Sequence, residues 1–132
     1  MKVSTKGRYA IIIMIELAKN YKNETFLSLS EIAEKNNLSL KYLEKIITLL
    51  NKEDFFITSR GSIGGYKLKY SPDKYKMINI LKAAEKDIEP IQCIENNSYC
   101  KNKTNCSIFA FWNGLSKAIN NYLENTTLQD YI

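Results

Sequence analysis

Two helix-start signals stand so close together that the chain between them has room for one short helix and a tight turn. Ser28-Leu29-Ser30-Glu31 has the capping-box pattern, in which the Ser28 hydroxyl closes the Glu31 amide and the Glu31 carboxylate reaches back. The helix it opens carries Ile32 and Ala33 and ends around Asn36-Asn37. Ser39 then caps a second helix after only a few residues. Two short helices joined this way make a helix-turn-helix. The second helix has two faces. Leu40, Leu43, Ile47 and Leu50 recur at spacings of three, four and three, an apolar stripe, and opposite them lie Lys41, Glu44, Lys45, Thr48 and Lys52. A core helix with a solvated face carries the same pattern. The tight turn and the basic surroundings favour a recognition helix.

The flanking segments complete a mainly α fold with a small β-hairpin. Upstream, Tyr9, Ile13 and Leu17 follow helical spacing in a proline-free run, so Thr5 to Tyr21 reads as a helix. Downstream, Phe55 to Arg60 and the alternating Tyr66-Lys67-Leu68-Lys69-Tyr70 read as strands around Gly61-Ser62-Ile63-Gly64-Gly65. Alternation puts Tyr66, Leu68 and Tyr70 on one face and the two lysines on the other. A hairpin after a helix-turn-helix is a wing, and Arg60 at its mouth is well placed to enter a minor groove. Gly61-Ser62-Ile63-Gly64 also spells the G-x-x-G of a KH loop, but that loop joins helices rather than strands. Ser71-Pro72 starts a helix through Met77, Ile80, Leu81 and Ala84. Glu89-Pro90 marks a break, and a long amphipathic helix runs from Ser107 to about Asn125 with Ile108, Trp112, Leu115, Ile119, Tyr122 and Leu123 on one side. A stripe of that length needs a partner surface, its own domain or a second subunit. Thr127-Leu128-Gln129-Asp130 reads as a last cap. The division is therefore 1–88, a winged helix-turn-helix domain; 89–106, a cysteine-bearing segment; and 107–132, a dimerisation helix and tail.

Charge and residue choice narrow the function. Of the 19 Lys and Arg and 14 Asp and Glu, residues 1–90 hold 16 and 11, so the whole net charge of +5 lies there. That is where a polyanion would bind. With no histidine in the 132 residues, Ser-His-Asp and Cys-His nucleophiles and His-ligated zinc are excluded, and no phosphate loop or nucleophile elbow occurs. An enzyme is not expected. The longest apolar run, Ala10 to Ile15, is too short to span a bilayer, and no leader opens the chain, so the expected location is the cytoplasm without membrane contact.

Cys93, Cys100 and Cys106 form C-x6-C-x5-C among Asn, Lys, Thr and Ser. Few apolar neighbours are present to bury them, and a reducing cytoplasm and the odd count disfavour a disulfide. Clustered thiolates suit an iron–sulfur cluster. Structural zinc prefers tighter pairs and four protein ligands, and it stays open as an alternative, as does no metal.

Lys6-Gly7-Arg8-Tyr9-Ala10, Ser39-Leu40-Lys41-Tyr42-Leu43-Glu44, and Arg60-Gly61 followed by Gly64-Gly65-Tyr66 resemble the Rrf2 family of transcription regulators. The resemblance runs from Met1 to about Asp130, and Cys106 to Trp112 is similar to the family's last cluster cysteine and the start of its dimerisation helix. It implies a homodimer with two winged heads on a pseudo-palindromic double-stranded DNA operator. It places Ser39, Lys41, Tyr42, Glu44 and Lys45 at the major groove and Arg60 with Gly61 at the adjacent minor groove. It also implies one cluster per subunit on Cys93, Cys100 and Cys106, 2Fe–2S ahead of 4Fe–4S. The implied role is sensing iron–sulfur status, oxygen or nitric oxide, with cluster-assembly genes as the first expected target and nitric-oxide stress the second. Where cluster-binding members place a fourth ligand, histidine three residues after the last cysteine or an acidic residue on the first helix, this chain has Phe109 and Arg8. The fourth ligand is thus unassigned. A metal-free or zinc-binding interaction module is the reading from a different class.

Overall fold

A computed structural model describes residues 3–62, 64–91 and 105–132. Helix α1 (Thr5–Lys19) starts at Ser4, whose hydroxyl accepts from the Gly7 amide. It buries Ala10, Ile13, Met14, Leu17 and Ala18, so the other elements assemble around it. It stops before the expected Tyr21, because the chain tightens into a 3-10 turn (Tyr21–Asn23) and Glu24 turns left-handed at φ 54°. Helix α2 (Leu29–Asn36) has the full capping box. The Glu31 amide donates to Ser28 Oγ at 3.1 Å and the Ser28 amide donates to Glu31 Oε2 at 2.9 Å. Asn37, left-handed at φ 53°, ends it.

Helix α3 (Leu40–Leu50) is capped by Ser39, which accepts from the Tyr42 amide at 3.3 Å. Its buried residues are Leu43, Ile46, Ile47 and Leu50. The expected stripe is corrected at two positions. Leu40 is 37% exposed, and Ile46 is fully buried. Each buried leucine or isoleucine is worth about 1.5–3 kcal/mol, far above the tenths that separate helix propensities. Packing therefore sets how α3 is rolled, and its first turn, with Ser39, Leu40 and Lys41 all exposed, lies outside the packed part.

Strands β1 (Phe56–Ser59) and β2 (Gly65–Leu68) pair antiparallel, with Phe56 opposite Leu68 and Ser59 opposite Gly65. Leu27 adds a third edge, exchanging two 2.9 Å backbone bonds with Tyr66. Within the expected face, Leu68 is buried and Tyr66 half-buried, but Tyr70 lies past the end of β2 and is exposed. The expected helix from Ser71 is two pieces: a 3-10 turn (Pro72–Lys74) and helix α4 (Met77–Ala84), separated by extended Tyr75. Tyr75 is the reason for the break. Buried to 3% exposure, it donates its hydroxyl to the Phe55 carbonyl at 2.6 Å and accepts from the Tyr70 amide at 3.0 Å.

Helix α5 (Phe109–Glu124) returns to the body at its C-terminal end. The Met77 amide donates to the Thr126 carbonyl at 2.8 Å, the Leu128 amide to the Tyr75 carbonyl at 3.1 Å, and Leu128 is fully buried. The Thr127–Asp130 capping box opens a final 3-10 turn (Leu128–Tyr131). Among the described residues, no helix is long and apolar enough to cross a membrane.

Candidate nucleic-acid interface and cysteine segment

Ser39, Lys41, Glu44 and Lys45 are all exposed on the first two turns of α3, with Thr48 beyond them. Thr48 turns its hydroxyl back to the Glu44 carbonyl at 2.9 Å, so it offers less to a ligand than its exposure suggests. Tyr42 differs from its neighbours. It is half-buried and meets Tyr9 of α1 edge-to-face, ring centroids 5.5 Å apart at 79°. One side of this ring is packing, which fixes its direction. Sequence reading placed Tyr42 among the DNA-facing residues without finding that contact.

Arg60 and Gly61 are exposed at the hairpin turn, and the Gly64 amide donates to the Gly61 carbonyl at 3.1 Å. Gly61 has φ 105°, a backbone that side-chain-bearing residues rarely adopt, so this turn needs its glycine. Lys67, behind the turn, stands 4.9 Å over the Phe26 ring.

The cations divide into two groups. Lys35 pairs with buried Glu16 at 2.6 Å and Lys69 with Asp54 at 2.8 Å. Asp54 is held below the usual carboxylate range chiefly by the hydrogen bond from Lys69 and then by that from Tyr70. These lysines have carboxylate partners within the chain. Lys41, Lys45, Lys52 and Arg60 make no ion pair with any described residue.

Of the three cysteines, Cys93 and Cys100 lie outside the described residues. Cys106 is half-buried with a free thiol, directly ahead of α5, and its carbonyl accepts from the Phe109 amide at 3.5 Å. Among the described residues no three His, Cys, Asp or Glu side chains converge. An accessible thiol at a helix entrance, in a set of three with no imidazole, fits the soft donors an iron–sulfur cluster takes. The root of the segment is tied down: Ile88 and Pro90 are buried, and Glu89 accepts a hydrogen bond from the buried Ser116 hydroxyl of α5. The sequence marks Glu89 only as part of a break, because its partner Ser116 lies 27 residues away on α5.

The family model described as Rrf2, iron-dependent transcriptional regulator, matches residues 3–132. The transcriptional regulator CymR of Bacillus subtilis is 38% identical over 130 residues, covering 98% of this chain and 88% of that protein. The regulator IscR of Aliivibrio salmonicida is 30% identical over 128 residues, covering 97% and 75%. The solved structure of B. subtilis CymR, titled the global cysteine regulator of that organism, superposes with a TM-score of 0.79 at 35% identity, covering 98% of this chain and 95% of that one. With the winged architecture in place and the family model spanning nearly every residue, this chain belongs to the Rrf2 family of transcriptional regulators.

Proposed function

We propose that this chain is a homodimeric, sequence-specific DNA-binding regulator of the cytoplasm whose binding answers to an iron–sulfur cluster held by Cys93, Cys100 and Cys106. One juxtaposition carries the reading. A helix whose cations pair with no described residue, and whose capped first turn is exposed, shares a chain with three cysteines in the stretch of sequence ahead of the long helix α5. Residues 1–88 act as the DNA-binding head, 89–106 as the cluster segment and 107–132 as the dimerisation element. Ser39, Lys41, Tyr42, Glu44 and Lys45 read the major groove, and Arg60 with Gly61 enters the minor groove. Two heads related by a two-fold axis match a pseudo-palindrome. A cluster bound on the three thiolates, 2Fe–2S ahead of 4Fe–4S, would supply a centre reactive toward oxygen and nitric oxide. Regulation of cluster-assembly genes is the first choice of target and nitric-oxide stress the second.

Anaerobically purified protein is expected to be brown, to contain iron and sulfide, and to bleach in air. Replacing any one of the three cysteines by alanine is expected to remove the iron. A second reading has its own support in the likeness to B. subtilis CymR, 38% identical and called the global cysteine regulator of that organism: a regulator responding to cysteine. Colourless, iron-free anaerobic protein that still selects a DNA site would replace the first reading with the second. Absence of any preferred site, with and without the cluster, would remove both.

A further inference from the structure

We propose that Glu85 is a positioning residue for DNA recognition: its carboxylate fixes the first turn of α1, and α1 holds Tyr42 of the recognition helix through Tyr9. The inference rests on the reading of α3 as the DNA-reading helix and holds whatever group the cysteines bind.

Glu85 is the residue that ends α4, its amide bonded to the Leu81 carbonyl at 2.7 Å, four residues before Glu89 at the root of the cysteine segment. Its Oε1 accepts two bonds from one residue far away in sequence, the Ser4 amide at 2.7 Å and the Ser4 hydroxyl at 2.6 Å. The same hydroxyl accepts from the Gly7 amide at 3.4 Å and so caps α1. A carboxylate over a helix N-terminus is favoured both by these charge-assisted bonds and by the helix dipole. Space for it depends on Gly7, which is buried. A Cβ there would collide with Glu85 Oε1, so the glycine of Lys6-Gly7-Arg8 leaves room for the carboxylate. Tyr9 follows within the next turn and sets its ring against Tyr42, which lies between exposed Lys41 and buried Leu43. The contacts are continuous: Glu85 to Ser4, along α1 to Tyr9, and across to Tyr42. Loss of the carboxylate frees the first turn of α1 and with it the ring that sets Tyr42's direction.

The test compares Glu85→Ala, Glu85→Gln, Ser4→Ala, Tyr9→Leu and Glu85→Ala/Tyr9→Leu with the unaltered protein. Each is titrated against the duplex that the unaltered protein selects from a random pool, counting only binding-competent protein, with hydrogen exchange followed at the amides of Thr5 to Tyr9. Glu85→Ala is expected to speed that exchange and to weaken binding roughly two- to thirtyfold, the range of coupling energies carried between packed elements. Glu85→Gln, which keeps an acceptor oxygen, is expected to recover part of the loss. In the double variant the two losses are expected to add to less than their sum. Fast exchange with unchanged affinity would overturn the proposal, as would fully additive losses. Should Glu85→Ala fail to fold, the glutamine and Ser4→Ala variants carry the same comparison. An unaltered protein with no preferred duplex would remove the reading of α3 and this inference with it; a preferred duplex with indifferent variants would remove the inference alone.

Discussion

Helices α3 and α5 are both amphipathic, yet the fold treats them in opposite ways. The eleven residues of α3 bury Leu43, Ile46, Ile47 and Leu50, whereas the sixteen of α5 bury Ser116 alone. The apolar side chains along the N-terminal half of α5 stay open: Phe111 is 58% and Leu115 37% exposed, with Ile108 at 49% just ahead of them. Its C-terminal end is different, since Leu123 packs on the core and Leu128 is fully buried. One helix is thus a finished piece of the core. The other is anchored at one end and carries an apolar face that the described residues leave open. A face of this kind is the signature of an interface, and on the proposed dimer two copies of α5 cover each other about a two-fold axis.

The contrast predicts different responses to substitution. The largest effect belongs to α3. Leu50→Ala, at a fully buried site, is expected to cost about 2–5 kcal/mol, read as a shift in the denaturant midpoint. A cost no greater than that of Leu115→Ala at low protein concentration would erase the distinction between the helices. Next comes the open face: Leu115→Asp with Ile119→Asp is expected to convert a two-chain mass in light scattering to one chain while the circular dichroism stays helical. A one-chain mass for the unaltered protein would dispose of the dimer.

A third prediction concerns the joint between α4 and the hairpin. Tyr75→Phe takes the hydroxyl partner from the Tyr70 amide, while the Phe55 carbonyl keeps the Lys69 amide at 3.0 Å, at a cost of about 0.5–1.5 kcal/mol in thermal or denaturant unfolding. The smallest effect lies at the hairpin base. The hydrogen bonds from Lys69 and Tyr70 depress the Asp54 carboxyl in the folded state. Its contribution is therefore fully present above the ordinary carboxylate range and is lost as pH falls through the depressed value. Asp54 is exposed, so comparing Asp54→Asn with the unaltered protein should show a slight difference in melting temperature at neutral pH, vanishing in acid. A difference that grew in acid would contradict the assignment.

Much of this was legible before any coordinates. The capping boxes at Ser28 and Thr127, the cap at Ser39, the hairpin around Gly61 to Gly65 and the long final helix all stand where the sequence places them. Of the residues proposed to face DNA, Ser39, Lys41, Glu44, Lys45, Arg60 and Gly61 are exposed and Tyr42 is half-buried. Less legible were the positions where two elements meet. Leu40 carries the same apolar signal as Leu43, and only the extent of the packed surface separates them. Tyr75 interrupts what periodicity reads as one helix, for the sake of two hydrogen bonds to the hairpin.

The sequence by itself determined the local elements, because caps, turn glycines and apolar periods act within a few residues, and their physics is complete inside that window. Three thiols in a polar segment are likewise a property of composition and spacing. Tertiary structure alone decided the roll of α3, the Leu27 edge on the hairpin, and the anchoring of only one end of α5. It also decided the bonds between Ser4 and Glu85, 81 positions apart in the chain. Such contacts join groups whose individual signals are weak, a serine, a glutamate and a glycine. Their partners are fixed only when burial of the shared core brings the helices together.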